Sequence, residues 1–528
     1  MQAKLDPQAQ LDQLWRSGQS HERQGDLSAA REAYTSIVAL HAQHIPALLR
    51  LSRFSEEAGH YRQAHQHALR AADAARLGGS SRLLAYVTMR LLDFAEEVEV
   101  ASVVLGSNWQ DPQVLQQSPA LLQHLWLAGR YEDALRLLDA IEPRVGPHPL
   151  LRYTRGQLQQ YLGNFDAAAS AYENALALDP TLADVHWAIA KLRPDGSAGR
   201  IARLRRALAT PRSETARAQL LYALFHELDT ADERDGAWSA LAEGAAVMRA
   251  VVGTPVASAN ANAEAMMATA HRFGPTPAAP VSQPRPVFIL GMPRSGTTLL
   301  DRMLGNHGWV TSAGERNDLT AAASEISDQF YRGLRQCADP QHFLASQDMP
   351  AIGHAYLQRL RRAAPATAVA IDKHPRNLFE LPLILAALPQ ARIVCVRRDA
   401  MDVAFSNFKE LFPGGAYGYS YDFAALADEV ELAQRWMAHW QARAPEAVRI
   451  VDYRDLVENT EATLAGLLDF LQLPAWPGLA EPERNLAPVS TASSAQVRAP
   501  VHRNALDAWQ RYREPLAPLA ERLHTLGK

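Results

Sequence analysis

The chain has 528 residues, of which 48% are hydrophobic and 21% are charged, and its formal net charge is −4. This composition is typical of a globular protein, and the length suggests two to four domains. The negative net charge argues against a dedicated nucleic-acid-binding protein, which usually carries a basic surface over a whole domain. Any anion site must therefore be a local cluster of Arg and Lys.

The cysteines and the apolar segments argue against further classes of protein. Cys337 and Cys395 lie outside any CxxC or Cys/His cluster, which argues against a zinc site and against a disulfide framework. The N-terminus lacks an apolar signal segment, and no window is apolar enough to span a membrane. We therefore expect a cytoplasmic protein without a structural metal.

Residues 1–185 carry a repeated pattern, Gly-x-(Leu/Tyr/Phe)-x-x-Ala, which begins at Gly25, Gly59, Gly129 and Gly163. The spacing is 34 residues, except for one interval of 70 residues that holds a degenerate repeat around residues 92–95. This period is typical of a helix–turn–helix array, in which Gly permits the tight turn. The pattern resembles the tetratricopeptide repeat, which implies a concave surface that binds a peptide or another protein.

The rest of the chain predicts three further segments. Residues 186–272 look helical but lose the period, so we interpret them as a degenerate helical repeat or connector. Residues 273–285 are rich in proline, which is typical of a stiff linker. Residues 286–528 alternate apolar runs with amphipathic patterns, and this order predicts an α/β domain. Strands are expected at 286–290, 369–371, 391–396 and 448–451, in a P-loop-like parallel sheet flanked by helices.

The first of these strands runs directly into a glycine-rich loop, Gly291-Met292-Pro293-Arg294-Ser295-Gly296-Thr297-Thr298, and a helix is predicted after it. A loop between a strand and a helix presents backbone N–H groups and the positive end of the helix dipole to a phosphate. We therefore assign anion binding to the residues that share this loop, namely Arg294, Ser295, Gly296, Thr297 and Thr298.

Two departures distinguish this loop from that of a nucleotide triphosphatase. Thr297 stands where such a loop has its Lys, and the positive charge is at Arg294 instead. The strand at 391–396 is followed by Arg397 and Arg398, where a metal-binding carboxylate would be expected. Both departures favour anion chemistry without an obligatory metal. A second basic site is predicted at Arg398 and Ser406, with Ser406 almost two turns into the next helix.

Together these motifs resemble the sulfotransferase family, and within it the tyrosylprotein sulfotransferases, over residues 286–512. The resemblance implies 3′-phosphoadenosine 5′-phosphosulfate (PAPS) as the donor, with its 5′-phosphosulfate at the Arg294 loop and its 3′-phosphate at Arg398 and Ser406. It assigns adenine contact to Tyr453, and nucleotide closure to a late segment that includes Ser493 and Arg498. The fusion of tetratricopeptide repeats to such a domain resembles a recurring bacterial arrangement.

The same resemblance implies the catalytic groups. Gly314-Glu315 matches the family segment that carries the general base, so Glu315 is expected to take the acceptor proton. Asp372-Lys373-His374-Pro375 matches the segment whose Lys stabilises the transferring group, and Arg294 and Ser493 are expected to assist Lys373. His307 and His374 are alternative bases, because cytosolic members of the family use His.

The acceptor remains open at this stage. The tyrosylprotein enzymes are membrane-anchored and disulfide-bonded, and they have basic residues where this chain has Glu410 and Ala508. The acceptor does not follow from these departures; we expect a phenolic or carbohydrate hydroxyl, with protein tyrosine as one candidate. Two other functions stay in competition: a phosphate-loop kinase or nucleotide hydrolase, and a repeat scaffold whose nucleotide-binding domain is catalytically silent.

Overall fold

The computed structural model of the chain describes residues 6–78, 80–211, 213–253, 258–269, 284–364, 367–412, 414, 416–489 and 496–526. They form two compact units: one comprises Met1–Gly146 and Asn317–Arg332, and the other comprises Pro147–Arg316 and Gly333–Lys528. These units do not coincide with the predicted segment boundaries, which remain predictions. Most of the predicted linker, residues 273–283, lies outside the described residues, and so does Ser493.

The first unit consists of antiparallel helix pairs. Its helices are α1 (Pro7–Gln24), α2 (Leu27–Leu40), α3 (Ile45–Glu57), α4 (Tyr61–Arg76), α5 (Leu84–Leu92), α6 (Glu97–Leu105), α7 (Pro112–Gln116), α8 (Ser118–Leu127) and α9 (Tyr131–Val145), followed much later by Asp318–Ser327. Gly25, Gly59 and Gly129 end the first helices of their pairs with φ of 78°, 79° and 71°. In the degenerate repeat the turn residue is Ala95, with φ of 55°. The predicted helical-repeat architecture is confirmed.

The later segment of the first unit packs on helix α4. The backbone N–H of Arg62 donates to Asp328 Oδ1 at 2.8 Å, and the rings of Tyr61 and Phe330 have centroids 5.2 Å apart. Phe330 thus extends the apolar cluster that Tyr61 forms with Phe94.

The second unit begins with helices and continues into the sheet. The helices are α10 (Pro149–Leu162), α11 (Phe165–Leu178), α12 (Ala183–Leu192), α13 (Ala198–Leu208), α14 (Glu214–Thr230), α15 (Arg234–Val252) and α16 (Ser258–Thr269). The turn between α10 and α11 is at Gly163, with φ of 89°, as the repeat pattern predicts. The last helix pair of the repeat pattern therefore folds within the same unit as the sheet.

The sheet of the second unit is parallel throughout its described strands. These are β1 (Arg285–Leu290), β2 (Val310–Ser312), β3 (Val369–Asp372), β4 (Arg392–Arg397) and β5 (Val448–Asp452), in the order β2-β3-β1-β4-β5. The four predicted strands are all present, and the α/β fold is confirmed. Sequence reasoning missed β2, which has three residues and lies at the edge of the sheet.

Further helices complete the second unit. They are α17 (Thr297–Leu304), α19 (Pro340–Ser346), α20 (Met349–Ala363), α21 (Leu381–Ala387), α22 (Ala400–Phe408), α23 (Phe423–Arg443), α24 (Tyr453–Glu458), α25 (Thr460–Leu471) and α26 (Ala517–Leu526), whereas α18 (Asp318–Ser327) is the late helix of the first unit. Because all the strands run the same way, the loops that follow them meet at one edge of the sheet, where α/β folds bind ligands.

None of the described helices combines the length and the apolar character that a membrane crossing needs.

Candidate active site

The loop after β1 has the backbone of an anion cradle. Arg294 adopts φ of 68° and Gly296 φ of 108°, and helix α17 begins at Thr297. A positive φ is strained for a side chain such as that of Arg294, so the loop holds this residue in an uncommon conformation. A Cβ atom on Gly296 would lie 2.4 Å from the ring of Tyr453, so only glycine fits between the two.

The predicted second basic site forms next to this loop. Arg398 follows β4, and its Nη1 donates to the backbone oxygen of Arg294 at 2.9 Å. Its guanidinium also lies 4.8 Å from the ring centroid of Tyr453. Ser406 lies in the second turn of α22, where its hydroxyl accepts from Arg294 Nε at 3.4 Å. The structure therefore brings Arg294 and Tyr453 together with the neighbouring Arg398 and Ser406, although these three parts of the chain are far apart in the sequence.

These residues line a cavity of about 350 Å³. Its walls come from the loop, from α22, and from the segment that precedes α26. The lining residues are Arg294, Gly296, Thr297, Thr298, Leu299, Arg398, Asp402, Phe405, Ser406, Lys409, Tyr453, Val497, Ala499, Pro500, Val501, His502, Asn504, Ala505 and Ala508. The volume lies in the range of small-molecule sites.

Positive charge predominates in this cavity. Three cations line it, Arg294, Arg398 and Lys409, and one carboxylate does, Asp402. Burial raises the pKa of Asp402, against a hydrogen bond from the backbone N–H of Asp507 and the charge of Arg398. Arg398 Nε and Ser295 Oγ are buried and have no hydrogen-bond partner among the described residues. The charge and these donors fit an anionic ligand.

The side chain of Arg498, which the sequence predicts as a donor ligand, contacts two backbone oxygens. Its Nη2 donates to the backbone oxygens of Tyr161 and Ala487, at 3.0 Å each. The bond to Tyr161 joins the late segment to helix α10 of the same unit. The cavity is lined by its neighbours Val497 and Ala499. Contact between Arg498 and the donor stays a prediction.

The two predicted catalytic residues form an ion pair. Lys373 Nζ lies 2.5 Å from Glu315 Oε1, and the backbone N–H of Lys373 donates to Gly314 O at 2.9 Å. The side chain of Lys373 is buried, whereas that of Glu315 is 38% exposed. Burial alone would raise the pKa of Glu315, but the ammonium of Lys373 and the ring of His374 outweigh it and hold this pKa below its ordinary value. Glu315 is therefore ionised at neutral pH, as a proton acceptor must be.

The two alternative bases differ from each other. His307 is buried, its Nδ1 accepts from the backbone N–H of Trp309 at 3.0 Å, and its Nε2 lies 3.1 Å from the oxygen of Pro474. Both ring nitrogens thus serve structural bonds. Burial lowers the pKa of His374 to about 4, although Glu315 opposes the shift. His374 is therefore neutral at pH 7 and lies beside the ion pair.

Sequence reasoning missed two charged residues beside the cavity, Lys409 and Lys191, and noted Glu410 only as a departure from the tyrosylprotein enzymes. Lys409 lines it, three residues after Ser406, and this helical spacing was a usable signal. Glu410 forms an ion pair with Lys191 of α12, and its Oε2 lies 3.9 Å from Arg294 Nε. No sequence pattern could indicate that Lys191 lies here, because it belongs to a helix more than 200 residues earlier in the chain.

Residues 286–478 match the model of the sulfotransferase family. This part of the chain is therefore similar to the sulfotransferase family. Residues 149–182 match the model of the tetratricopeptide repeat, so the chain combines both modules. Neither match identifies a donor or an acceptor.

Individual proteins give further similarities to parts of the chain. A protein of Aquifex aeolicus (strain VF5) that is described as uncharacterized is 32% identical over 242 residues, which are 45% of this chain and 32% of that protein. The match thus spans about a third of the length of that relative. The sulfotransferase domain from the curacin biosynthetic pathway is 18% identical with a TM-score of 0.33, over 47% of this chain and 97% of that chain. The sulfotransferase domain from the Synechococcus PCC 7002 olefin synthase is 19% identical with a TM-score of 0.33, over the same shares.

Proposed function

We propose that this protein transfers a sulfuryl group from PAPS to an acceptor hydroxyl. The observation that carries the proposal is that the Arg294 loop, Arg398 and Ser406 line the same cavity. PAPS has a 5′-phosphosulfate and a separate 3′-phosphate, so it needs two anion sites that one nucleotide can reach. The cations of the cavity and the ring of Tyr453 suit a nucleotide with this charge distribution.

The chemistry assigns one task to each group. The acceptor oxygen attacks sulfur, and the bond between sulfur and the bridging oxygen breaks, so that 3′-phosphoadenosine 5′-phosphate leaves with the bonding electrons. Glu315 takes the proton of the acceptor hydroxyl. Arg294 and Lys373 stabilise the charge that develops on the sulfuryl and bridging oxygens, and Ser493 is proposed to assist them. The residues of the site supply these steps without a metal.

The Glu315–Lys373 pair suggests how the base becomes active. In the pair, the ammonium of Lys373 lowers the pKa of Glu315 and makes it a weak proton acceptor. When Lys373 turns towards the sulfuryl group, Glu315 loses this neighbour and its proton affinity rises. Binding of the donor would thus strengthen the base at the moment at which the acceptor needs it.

A kinase or nucleotide hydrolase is the competing function. It would need a cation that reaches the terminal phosphates, yet the loop has Thr297 at the Lys position. Calorimetry with 3′-phosphoadenosine 5′-phosphate and with ATP–Mg²⁺ separates the two functions. We expect binding of the first nucleotide, weakened about 10- to 100-fold in Arg398→Ala because a charge-assisted phosphate contact is lost. Tight binding of ATP–Mg²⁺ with no response to the 3′-phosphate nucleotide would overturn the proposal.

Turnover of a simple phenol tests the base. Glu315→Gln should lose turnover and keep donor binding, because it removes the proton acceptor and leaves the cavity intact. Glu446→Gln is the matched control, since exposed Glu446 precedes β5 at the opposite edge of the sheet. Full turnover in Glu315→Gln would transfer the role of the base to His374. If the wild type itself does not turn over the phenol, the scaffold function is favoured.

We also propose that the tetratricopeptide repeats bind a protein, either the acceptor or a partner. Helical repeats present extended surfaces for such contacts. If they recruit the acceptor, a tyrosine-containing polypeptide should have a kcat/KM at least about tenfold above that of a free phenol, because a second contact raises the effective concentration. Equal values for the two substrates would assign the repeats to a partner instead.

A further inference from the structure

Lys409 is a cation of the donor cavity that no motif assigns. It caps the C-terminal end of α22, three residues after Ser406, so both side chains leave the helix on the same face. Its Nζ lies 5.0 Å from the ring centroid of Phe405, and both residues line the cavity. Lys409 therefore reaches the same space as Ser406 and Arg398.

The acidic groups around Lys409 are engaged elsewhere. Glu410 pairs with Lys191, while Asp229 Oδ1 accepts from Arg511 Nε and from the hydroxyl of Tyr512, at 2.7 Å each. Among the described residues, no carboxylate forms an ion pair with Lys409. A half-buried cation without a counter-ion is unfavourable, and an anionic ligand in the cavity removes that cost.

We propose that Lys409 is a third ligand of the donor's 3′-phosphate, beside Arg398 and Ser406, and that donor binding is coupled to proton uptake at this lysine. The assignment to the 3′-phosphate follows from the shared helix face with Ser406. The inference rests on the proposed function, because it requires a nucleotide with a 3′-phosphate.

Burial lowers the pKa of Lys409 to about 8, and the positive charges of Arg294 and Arg398 add to the shift. The charged and titratable groups that surround it are Arg294 in the loop, Arg398 after β4, Glu410 beside it, Lys191 on α12, and His226 and Asp229 on α14. The pKa of His226 is about 3, so its ring is neutral across the relevant range.

The direction of the coupling follows from these charges. A bound phosphate favours the charged ammonium and raises the pKa of Lys409 in the complex. Between pH 8 and 9 a fraction of the free protein carries neutral Lys409, so binding takes up a proton there. Affinity for the 3′-phosphate nucleotide therefore falls as the pH rises through about 8.

Calorimetry on the full chain tests the proposal, with 3′-phosphoadenosine 5′-phosphate and adenosine 5′-phosphate as the two probes. Lys409→Met should weaken binding of the first probe about 10- to 100-fold and change binding of the second by less than about threefold. Lys409→Arg should restore the affinity and abolish the proton uptake, which is read at pH 8.5 in two buffers of different ionisation enthalpy. Exposed Arg513→Met, which removes the same charge elsewhere, is the control.

The outcomes distinguish a failure of the proposed function from a failure of the assignment of Lys409. If the wild type binds neither nucleotide, the proposed function fails and this inference fails with it. If the wild type binds the 3′-phosphate nucleotide and Lys409→Met binds it equally well, or weakens both probes equally, only the assignment of Lys409 to the 3′-phosphate is overturned. If Lys409→Met does not fold, an unchanged proton uptake in Lys409→Arg overturns it.

Discussion

Lys191 is the residue through which helix α12 contributes charge next to the site. Its ammonium pairs with Glu410 and lies 4.9 Å from the ring centroid of Trp187. The side chains of Lys191 and Glu410 are 18% and 7% exposed, so the pair is buried. Lys191→Met removes the charge and keeps most of the apolar stem. It leaves the Glu410 carboxylate with Arg294, 3.9 Å away, as its remaining cation.

The expected loss of stability follows from this geometry. Removal of one partner from a buried ion pair costs about 3–5 kcal/mol, because the other charge stays buried. Since Arg294 offsets part of that cost, we expect about 3 kcal/mol for Lys191→Met. Glu410→Gln should also destabilise the protein, because it leaves the ammonium of Lys191 without its carboxylate partner. The double variant buries two neutral groups and should lie within about 1 kcal/mol of the wild type, a non-additivity of several kcal/mol.

Nucleotide binding gives a second measure of the same pair. In Lys191→Met the Glu410 carboxylate turns towards Arg294 and competes with the donor, so affinity for 3′-phosphoadenosine 5′-phosphate should fall about tenfold. Urea denaturation monitored by Trp fluorescence measures stability, and calorimetry measures binding. Single effects that simply add in the double variant, or a Lys191→Met stability within about 0.5 kcal/mol of the wild type, would refute the reasoning.

Two further predictions concern the loop and the base. Gly296→Ala should lower nucleotide affinity more than about tenfold, because its Cβ would meet the Tyr453 ring 2.4 Å away, whereas Gly466→Ala, on the open side of α25, should bind normally. The acid limb of kcat/KM for the donor, which reports the free enzyme, should lie below pH 5, because the pKa of Glu315 lies below its ordinary value and that of His374 is about 4. A limb near pH 6.5 would instead implicate an ordinary histidine and contradict the base assignment.

The sequence was sufficient for the parts of the site that depend on local patterns. The strand at 286–290 and the loop at Arg294 are continuous in the chain, so apolar patterning and glycine spacing predict both. Arg398 and Ser406 lie on one strand–helix unit, and their spacing along the helix survives in the structure. The roles of these residues in binding and catalysis stay predictions until they are measured.

Other features could not be predicted because they depend on distant segments. Lys191 meets Glu410 through the packing of α12, which no local pattern encodes. Arg498 lies in a segment with glycine-free, irregular sequence, and its direction is set by carbonyl oxygens at Tyr161 and Ala487. The short strand β2 has too few residues to show an alternating pattern.

The loss of the 34-residue period after residue 185 now has a physical reason. A repeat keeps its period when each helix pair packs on the next identical pair. Helix α14 still packs on α12 and α13, but α14 and α15 also contact α22: the Tyr222 hydroxyl donates to the backbone oxygen of Phe408 at 3.2 Å, and Trp238 stacks on the Phe408 ring with centroids 5.8 Å apart.

Residues that face α22 must suit its surface as well as that of the neighbouring helices, and a strict repeat pattern does not meet both requirements. The same helix carries Ser406 and ends at the Lys409 cap. The helices before the sheet therefore contact the helix that carries Ser406 and ends at Lys409. We expect substitutions at Trp238 to alter nucleotide affinity, although this residue does not line the cavity.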